Sequence, residues 1–319
     1  MTPLRTPRRL AALAAAALLL AACGSGDPLA EPGPTTDGAT ASGEGTDGPA
    51  GTVVVGSQAY YSNEIVAEIY AQVLEDAGFD VERQFQIGQR DVYLAAMENG
   101  EVQLLPEYTG NLLQFYDADT EARSSEDVAA ALPDALPESL TVLDYAEAQD
   151  ADSYNVTAEF SAEHGITSLA DLAAYEGDIT IGGNAELESR PYGPDGLREF
   201  YGVDVGFVAI GDSGGPLTKD AIRDGTITMG DIYTADPDLA SGDFVTLEDP
   251  ESMILAQNLV PLLAADLAAD LAPVLDPVSA VLTTEELIAL NVRSVEEQAD
   301  AATIATDWLT EQGLLGGTR

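Results

Sequence analysis

The apolar positions that follow residue 51 alternate between short continuous runs and helical repeats. Thr52–Gly56 is an apolar run that ends on glycine, which is typical of a buried strand. In the next segment apolar residues recur at spacings of three and four, and Gly78 ends the predicted helix. The same alternation predicts two further pairs of a strand and a helix, at 81–99 and at 102–115.

A similar alternation begins again after Tyr154. The predicted strands are 179–183, 205–210 and 226–232, and the predicted helices between them are 196–201 and 217–223. The tail is predicted to be helical, with capping boxes formed by Thr283 with Glu286 and by Ser294 with Glu297. This order of elements favours mostly parallel sheets covered by helices. Two such units predict an α/β fold with two lobes around a cleft, where small ligands bind.

The amino terminus has the features of an export signal. Arg5, Arg8 and Arg9 precede an apolar run that is too short for a comfortable membrane span. The run ends in Leu-Ala-Ala-Cys23-Gly, which resembles the lipobox of bacterial lipoproteins. We therefore expect residues 1–22 to be a signal peptide, Cys23 to be lipidated, and residues 23–51 to be a flexible linker rich in Gly, Pro, Thr and Ser. The protein would then be extracytoplasmic and anchored to the cell membrane by Cys23.

The charge of the chain excludes one class of partner. The sequence has 12 Lys and Arg against 56 Asp and Glu, a formal net charge of −44. Binding of nucleic acid needs clustered basic residues that displace counterions, so a nucleic-acid partner is not expected. The same acidity leaves the lipid anchor as the only expected contact with the membrane. With 45% hydrophobic residues, the composition is that of a globular protein.

One segment matches a catalytic motif. Residues 211–216, Gly-Asp-Ser-Gly-Gly-Pro, match the segment around the nucleophile of chymotrypsin-like serine proteases. That chemistry needs a histidine beside Ser213, and the only histidine is His164, which we predict to lie on the surface. We therefore interpret the segment as a strand-to-helix turn and expect no enzyme, with an exported serine hydrolase as the less favoured alternative. We expect no cofactor or metal, because one histidine and one cysteine cannot form the usual zinc site. The acidic group of Asp231, Asp236 and Asp238 is interpreted as solvated surface.

Tyrosines stand in loops after predicted strands, notably at Tyr108, Tyr154 and Tyr233. Several motifs around them resemble, in the same order, the substrate-binding lipoproteins of osmoprotectant ABC transporters. These transporters carry glycine betaine, choline, carnitine and related quaternary amines. The motifs are GSQAYYSN at 56–63, PEYTG at 106–110, DSGGPLT at 212–218, YTADP at 233–237 and NLVP at 258–261.

The resemblance implies a fold and a set of partners. The fold would be the two-lobed, periplasmic-binding-protein-like (type II) fold, with a ligand cleft between the lobes. Residues 52–150 plus 258–319 would form the first lobe, and residues 153–256 the second. The partners would be a small quaternary amine and the ABC permease and ATPase subunits of the importer.

The resemblance also implies the site. Tyr108, Tyr154 and Tyr233 fall on positions of an aromatic cage, with Asp152 beside the second. A quaternary ammonium has no N–H donor, so aromatic faces hold it by cation–π attraction, each worth roughly 0.5–2 kcal/mol. Arg190 falls on the position that binds a ligand carboxylate. Two further residues fall on positions that line the pocket, Gln58 and Asn111.

Two departures from the family pattern concern the cage. Gln257 stands where a further cage tyrosine is usual, and Tyr60-Tyr-Ser-Asn63 replaces the usual Phe-Thr-Glu-Gln. We include Gln257 and Tyr60 among the candidate ligand-binding residues. Either Tyr60, Tyr61 or Tyr192 completes the cage, or the ligand is a larger or more polar betaine of the ergothioneine type. A third alternative is a surface lipoprotein that acts through protein contacts.

Overall fold

Two five-stranded sheets carry the described part of the chain, which is residues 51–316 of a computed structural model. The predicted signal peptide, Cys23 and the linker up to residue 50 lie outside the described residues, as do residues 317–319. Each sheet has its own helices and its own apolar cores.

The first sheet has the strand order β2-β1-β3-β10-β4. Its strands are β1 (Thr52–Gly56), β2 (Asp80–Gln84), β3 (Leu104–Tyr108), β4 (Leu140–Val142) and β10 (Leu259–Ala264). β1 is parallel to both β2 and β3, whereas β10 is antiparallel to both β3 and β4. β10 therefore lies between two strands, β3 and β4, that come much earlier in the sequence.

The second sheet has the strand order β7-β6-β8-β5-β9. Its strands are β5 (Tyr154–Thr157), β6 (Thr180–Gly183), β7 (Gly206–Ala209), β8 (Met229–Asp231) and β9 (Phe244–Thr246). β6 is parallel to β7 and β8, and β5 is antiparallel to β8 and β9. Both sheets are thus mixed, and the prediction of mostly parallel sheets is wrong. Local periodicity shows that a segment is a strand but does not show which partner a distant strand will take.

Within the described residues, seven helices belong to the first sheet: α1 (Tyr61–Asp76), α2 (Arg90–Glu98), α3 (Thr109–Tyr116), α4 (Ser125–Ala135), α8 (Ala268–Val281), α9 (Thr284–Val295) and α10 (Ala301–Glu311). The predicted apolar repeat of α1 is confirmed, because Ile65, Ile69 and Leu74 are fully buried in the core that the returning tail helices also contact. α10 covers α1, so the tail completes the first core.

Three helices belong to the second sheet: α5 (Ala158–His164), α6 (Pro194–Tyr201) and α7 (Pro216–Arg223). Four short 3-10 helices span Leu169–Ala174, Ala185–Ser189, Pro237–Ser241 and Ala265–Leu267. α6 and α7 each begin with proline, whose fixed φ suits the first helical position and whose missing N–H would have no helical partner there.

Neither predicted capping box of the tail is complete: Thr283 caps α9 without a return bond from Glu286, and Ser294 is not a cap. Thr283 caps α9, since its hydroxyl accepts from the Glu286 N–H at 3.2 Å. Ser294 caps nothing, because it lies inside α9. Asp300 caps α10 instead, and its carboxylate accepts from the backbone and hydroxyl of Thr303, each at 2.9 Å. An N-cap needs an extended backbone, which Asp300 has and a residue inside a helix cannot have.

Two neighbouring segments connect the sheets. The chain leaves the first sheet after β4, enters the second at β5, and returns after β9 to form β10. The outgoing and returning segments pair in a β-bridge between Gln149 and Asn258, and the Asp150 N–H donates to the Gln257 carbonyl at 3.2 Å. The two crossings thus run side by side at the base of the cleft that separates the sheets.

Between residues 51 and 316, no single helix is long and apolar enough to cross a membrane. By length and composition alone, the pair Ala265–Val281 and Thr284–Val295 qualifies as a broken span, with a bend of 89° between its halves.

Candidate functional site

A small polar cavity lies between the two sheets, at the ends of their central strands. It holds about 30 Å³ of free space, room for about two water molecules. Its walls come from both sheets. The lining residues are Gln58, Tyr60, Gln89, Arg90, Asn111, Asp150, Asp152, Asn184, Glu186, Leu187, Arg190, Tyr192, Asp231 and Tyr233. Six of the nine candidate ligand-binding residues are among them: Gln58, Tyr60, Asn111, Asp152, Arg190 and Tyr233.

Three tyrosine rings form the aromatic part of this cleft. Tyr60 precedes α1 on the first sheet, and Tyr233 follows β8 on the second. Their rings meet across the cleft in an edge-to-face arrangement with centroids 5.2 Å apart. Tyr192 contributes a third, buried ring. Burial raises the pKa of Tyr60, Tyr192 and Tyr233, so all three hydroxyls stay protonated near neutrality.

Two predicted cage tyrosines lie behind this lining. Tyr108 is 3% exposed, and its hydroxyl accepts from the Tyr60 hydroxyl at 2.6 Å. Tyr154 is 2% exposed, and its hydroxyl donates to the backbone carbonyl of Tyr192 at 2.7 Å. The structure therefore places Tyr60 and Tyr192 on the cleft, with Tyr108 and Tyr154 bonded to their outer sides. Tyr61, in contrast, is not among the lining residues.

Gln257, which replaces a cage aromatic, also lies behind the lining. It is fully buried, accepts from the Asn111 N–H at 2.9 Å and donates to the Asn111 side-chain oxygen at 2.7 Å. Asn111 in turn donates to Asp152 at 2.6 Å. The closeness of this contact requires Gly110, because a Cβ there would lie 2.8 Å from the Gln257 amide nitrogen. Gln257 thus positions Asn111, and Asn111 positions the carboxylate of Asp152.

Four carboxyl groups line the cleft: Asp150, Asp152, Glu186 and Asp231. Asp152 and Asp231 are 8% and 5% exposed, and they are neighbours in the cleft. Burial, followed by the neighbouring Asp152, raises the pKa of Asp231. Burial also raises the pKa of Glu186, and it raises that of Asp150 from 3.8 to about 7. The cause in each case is that a buried charge loses hydration.

Two arginines line the same cleft and differ in their partners. Arg90 binds Glu107 through two contacts of 2.8 and 3.2 Å, and Glu107 is fully buried. Arg190 makes no ion pair within residues 51–316. Its guanidinium lies 5.8 Å from the ring centroid of Phe115, and its Nε is buried without a hydrogen-bond acceptor. Arg190 is therefore a cation with donors to spare.

Gln58 also lines the cleft with unused donors. Its backbone N–H donates to the Asn63 side chain at 2.8 Å, which holds the loop before α1. Its side-chain nitrogen is buried without a partner.

The interpretation of the acidic group as solvated surface is wrong for Asp231, which is buried, and for Asp236, whose side chain is 8% exposed, whereas the Asp238 side chain is 40% exposed. Asp231 points to the cleft, and the Lys219 ammonium holds Asp236 at 2.7 Å and Asp238 at 2.8 Å. Within the described range, no group of three or more His, Cys, Asp or Glu side chains is arranged to hold a metal ion.

Sequence reasoning assigned no role to Arg90, Asp150, Asn184 and Glu186, which also line the cleft. Arg90 had one usable signal, its position at the start of α2, the helix that follows β2. The acids had none, because an acidic residue in a chain with 56 of them is normally solvated.

The protease-like segment is a turn, as predicted. Ser213 has a φ of 53°, and its hydroxyl accepts from the Asn184 amide at 3.0 Å. Asp212 caps α7 by accepting from the Leu217 N–H at 2.6 Å. His164 lies exposed at the end of α5, with its ring tilted against that of Phe160 at a centroid distance of 4.7 Å. The serine therefore has an amide partner where a nucleophile would need a histidine.

Comparison with known proteins decides the family. A family model described as the substrate binding domain of an ABC-type glycine betaine transport system matches residues 51–311. The chain belongs to this family. It is therefore a substrate-binding protein of a glycine betaine/choline-type ABC transporter, and not an enzyme. The resemblance drawn from the motifs is confirmed.

Relatives and solved structures agree with this assignment. The chain is 27% identical over 281 residues to the glycine betaine-binding protein YehZ of Escherichia coli K12, covering 83% of this chain and 92% of the relative. The solved apo structure of YehZ has a TM-score of 0.60 at 26% identity, covering 83% and 100% of the two chains. A glycine betaine/carnitine/choline ABC transporter structure has a TM-score of 0.66 at 17% identity, covering 82% and 99%. The predicted two-lobed α/β fold is confirmed.

Proposed function

We propose that the protein captures a quaternary amine in the cleft between the two sheets and delivers it to the permease of an ABC importer. The observation that carries the proposal is the cleft lining, in which Tyr60, Tyr192 and Tyr233 stand beside carboxylates. A quaternary ammonium offers no N–H group, so aromatic faces and negative charge are the two means by which a protein can attract it.

The tyrosines act as a cage with an outer support. Tyr108 and Tyr154 hold the hydroxyl of Tyr60 and the backbone of Tyr192, which fixes the two rings that face the ligand. The rings of Tyr60 and Tyr233 are in contact across the cleft, with centroids 5.2 Å apart. Tyr60 and Tyr233 must therefore separate to admit the ligand, and the paired crossings at Gln149 and Asn258 are the place where the sheets can turn.

Arg190 is the proposed partner of a ligand oxygen. Its guanidinium has no carboxylate of the described chain to bind, and charge-assisted bonds from arginine to a carboxylate are among the strongest available. Where the ligand has a carboxylate, we expect Arg190 to hold it.

A thermal-shift screen tests the proposal. The ligands are glycine betaine, proline betaine, choline, carnitine and ergothioneine. We expect at least one of them to stabilise the protein, because a ligand at 100 times its Kd adds about 2.7 kcal/mol. Tyr233→Ala should lower the affinity for that ligand at least tenfold, since the substitution removes a ring that faces the cleft.

Tyr201→Ala serves as the matched control, because Tyr201 lies outside the cleft lining and bonds to Asp249. The absence of a shift with all five ligands, or equal effects of the two tyrosine variants, would contradict the proposal. In that case a lipoprotein that acts through protein contacts would be the better account.

The location is proposed from the amino-terminal sequence. Cleavage before Cys23 and its lipidation would hold the protein on the outer face of the cell membrane, where it meets the permease. Mass spectrometry of the membrane fraction tests this, since a Cys23→Ser variant should appear without acyl chains and in the soluble fraction.

A further inference from the structure

The charges around the cleft do not balance. Its lining has four carboxyl groups, Asp150, Asp152, Glu186 and Asp231, and two guanidinium groups, Arg90 and Arg190. Arg90 is already bound by Glu107, a fifth acid that lies just behind it. Among the cleft-lining residues of the described range, Arg190 is therefore the one guanidinium without an ion pair, and it stands beside four carboxyl groups.

None of these four acids forms an ion pair in the described chain, although Arg190 and Arg90 act on Glu186 at longer range. Residues 51–316 contain ion pairs of Arg83, Arg90, Arg198, Lys219, Arg223 and Arg293, and no member of the four takes part in any of them. Their hydrogen bonds come from neutral groups. Asp150 accepts from the Ala235 N–H at 2.9 Å, Asp152 from Asn111 at 2.6 Å, and Asp231 from the Ser153 N–H at 3.2 Å.

The acids are not a surface cluster. Asp150, Asp152 and Asp231 are each at least nine-tenths buried, in the cavity that the tyrosine rings also line. Buried acids are normally paired, because an uncompensated charge away from water is costly. In the same cavity, Gln58 and Arg190 each have a buried donor without a partner. The polar groups of this wall thus remain unmatched until a ligand supplies both charge and hydrogen bonds.

Asp152 and Asp231 form the centre of the arrangement. Asp152 lies just before β5 and Asp231 is the last residue of β8. The Gln257–Asn111 pair holds Asp152 from the first sheet. A bare trimethylammonium cannot donate to them, since it has no N–H group. An O–H or N–H donor on the ligand can.

We infer that the ligand carries a net positive charge together with an O–H or N–H donor, and that Asp152 and Asp231 accept from this donor. A zwitterionic betaine without such a donor binds more weakly. The inference rests on the proposed function. It narrows the expected ligand from quaternary amines in general to amines that have a net positive charge and a hydrogen-bond donor. A ligand that also places a carboxylate on Arg190 then carries two cationic groups.

Three small quaternary amines of similar size distinguish the effect of the ligand's net charge from the effect of its hydrogen-bond donor. Choline is a cation with an O–H donor, O-methylcholine is a cation without one, and glycine betaine is a zwitterion without one. Isothermal titration calorimetry at pH 8 and low salt gives their Kd values with the purified chain from residue 24 onward, Cys23 being removed to avoid acylation. We expect choline to bind at least tenfold more tightly than glycine betaine, and O-methylcholine to fall between them.

Substitution of the acids gives the second measurement. The substitutions Asp231→Asn and Asp152→Asn should each raise the Kd of choline at least tenfold. The Kd of glycine betaine should stay the same or fall. Asp270→Asn removes the same charge from an exposed position of α8 and should change neither ligand. Circular dichroism establishes that each variant is folded before its Kd values are compared.

The outcomes separate the inference from the proposed function. If glycine betaine binds as tightly as choline, or if both asparagine variants weaken the two ligands equally, the inference is overturned while the proposed function stands. If no quaternary amine binds at all, the proposed function fails and the inference fails with it.

Discussion

The side chain of Gln257 is the first member of a hydrogen-bonded series that ends at the cleft. It holds the backbone and the side chain of Asn111, and Asn111 holds Asp152. A tyrosine at this position would have added an aromatic face. The glutamine instead holds Asn111, which fixes the position of the Asp152 carboxylate. The site therefore has one aromatic ring fewer and a carboxylate held in place.

Substitution of Gln257 tests this role. Gln257→Leu removes both hydrogen bonds to Asn111 and leaves a buried N–H unpaired. We expect a loss of about 1–3 kcal/mol in the free energy of unfolding, measured by urea denaturation. We also expect weaker binding of the ligand that the screen identifies, because Asn111 no longer fixes Asp152.

Gln312→Ala is the control, because Gln312 makes only a 3.5 Å contact with Glu286 at the end of α10. Its effect should stay within about 0.5 kcal/mol. An equal loss in both variants would show that Gln257 has no special structural role.

The buried carboxyl of Asp150 predicts a pH dependence of stability. Its pKa is raised from 3.8 to about 7 by burial, so between these values the folded protein binds a proton that the unfolded chain has released. The stabilisation is complete below pH 4 and is lost as the pH rises to 7. We expect Asp150→Asn to flatten this decline in the Tm of the ligand-free protein, measured from pH 4.5 to 7.5.

The exposed Asp270 offers the comparison, since Asp270→Asn should leave the slope as it is in the unsubstituted protein. If Tm falls with pH at the same rate in both variants, Asp150 is not the cause of the pH dependence. The titratable groups that face Asp150 are Asp152, Asp236, Tyr60, Tyr61 and Tyr108, and each remains in both variants.

Sequence reasoning located part of the cleft at this scale. Tyr60, Tyr233 and Arg190 were assigned to the site through the family resemblance, and all three line the cleft. Asp150 and Asp231 were not assigned to it, because burial depends on which segments meet in space. The same dependence places Tyr108 and Tyr154 one layer behind the cleft, since a loop tyrosine can face inward or stand behind another ring.

At the scale of elements, the caps show which boundaries of the tail are set by side chains. Thr283 and Asp300 have extended backbones and side chains that accept from the first turn of α9 and α10. Glu286 does not return to the cap, as a capping box would require, but accepts from the Trp308 indole nitrogen at 2.6 Å. It thereby joins α9 to α10.

The two candidate caps of the tail can be compared directly. Asp300→Ala should lower the free energy of unfolding by about 1 kcal/mol, because two donors of Thr303 lose their acceptor. Ser294→Ala should be neutral or stabilising by a few tenths of a kcal/mol, because alanine is the better residue inside a helix.

Urea denaturation of both variants provides the measurement. A larger loss for Ser294→Ala than for Asp300→Ala would restore the boundary that the sequence pattern predicted.

Helices and strands with a clear period were predicted within a few residues, as α1, α6 and α7 illustrate. The helix α4 was missed, because Pro133 lies inside it and proline normally marks an end. The position of β10 between β3 and β4 was missed for another reason. Its partners lie more than 100 residues away, and no local pattern specifies them.

At the scale of the whole molecule, charge opposes compactness. A formal net charge of −44 creates repulsion that the unfolded chain relieves by expanding. Salt screens this repulsion, and the Debye length falls from about 30 Å at 0.01 M to about 8 Å at 0.15 M.

We therefore expect the Tm of the ligand-free protein at pH 7.5 to rise by about 3 °C or more between 0.01 and 0.15 M NaCl. Differential scanning fluorimetry measures it. At pH 4.5 many acids are protonated, so the same addition of salt should have a smaller effect. A Tm that is independent of salt at both pH values would contradict a destabilising role for the charge.

The strand order of the first sheet determines when, during synthesis, the lobe that contains this sheet can finish folding. β4 is an edge strand whose one partner is β10, and β10 ends at residue 264 of 319. Domains usually fold in the order in which they are synthesised. Here the strand that joins β3 to β4 is made after the whole second sheet, and the helices that cover α1 are made later still. The amino-terminal lobe is thus the last to be completed, and the chain keeps an open core until its final quarter has been synthesised.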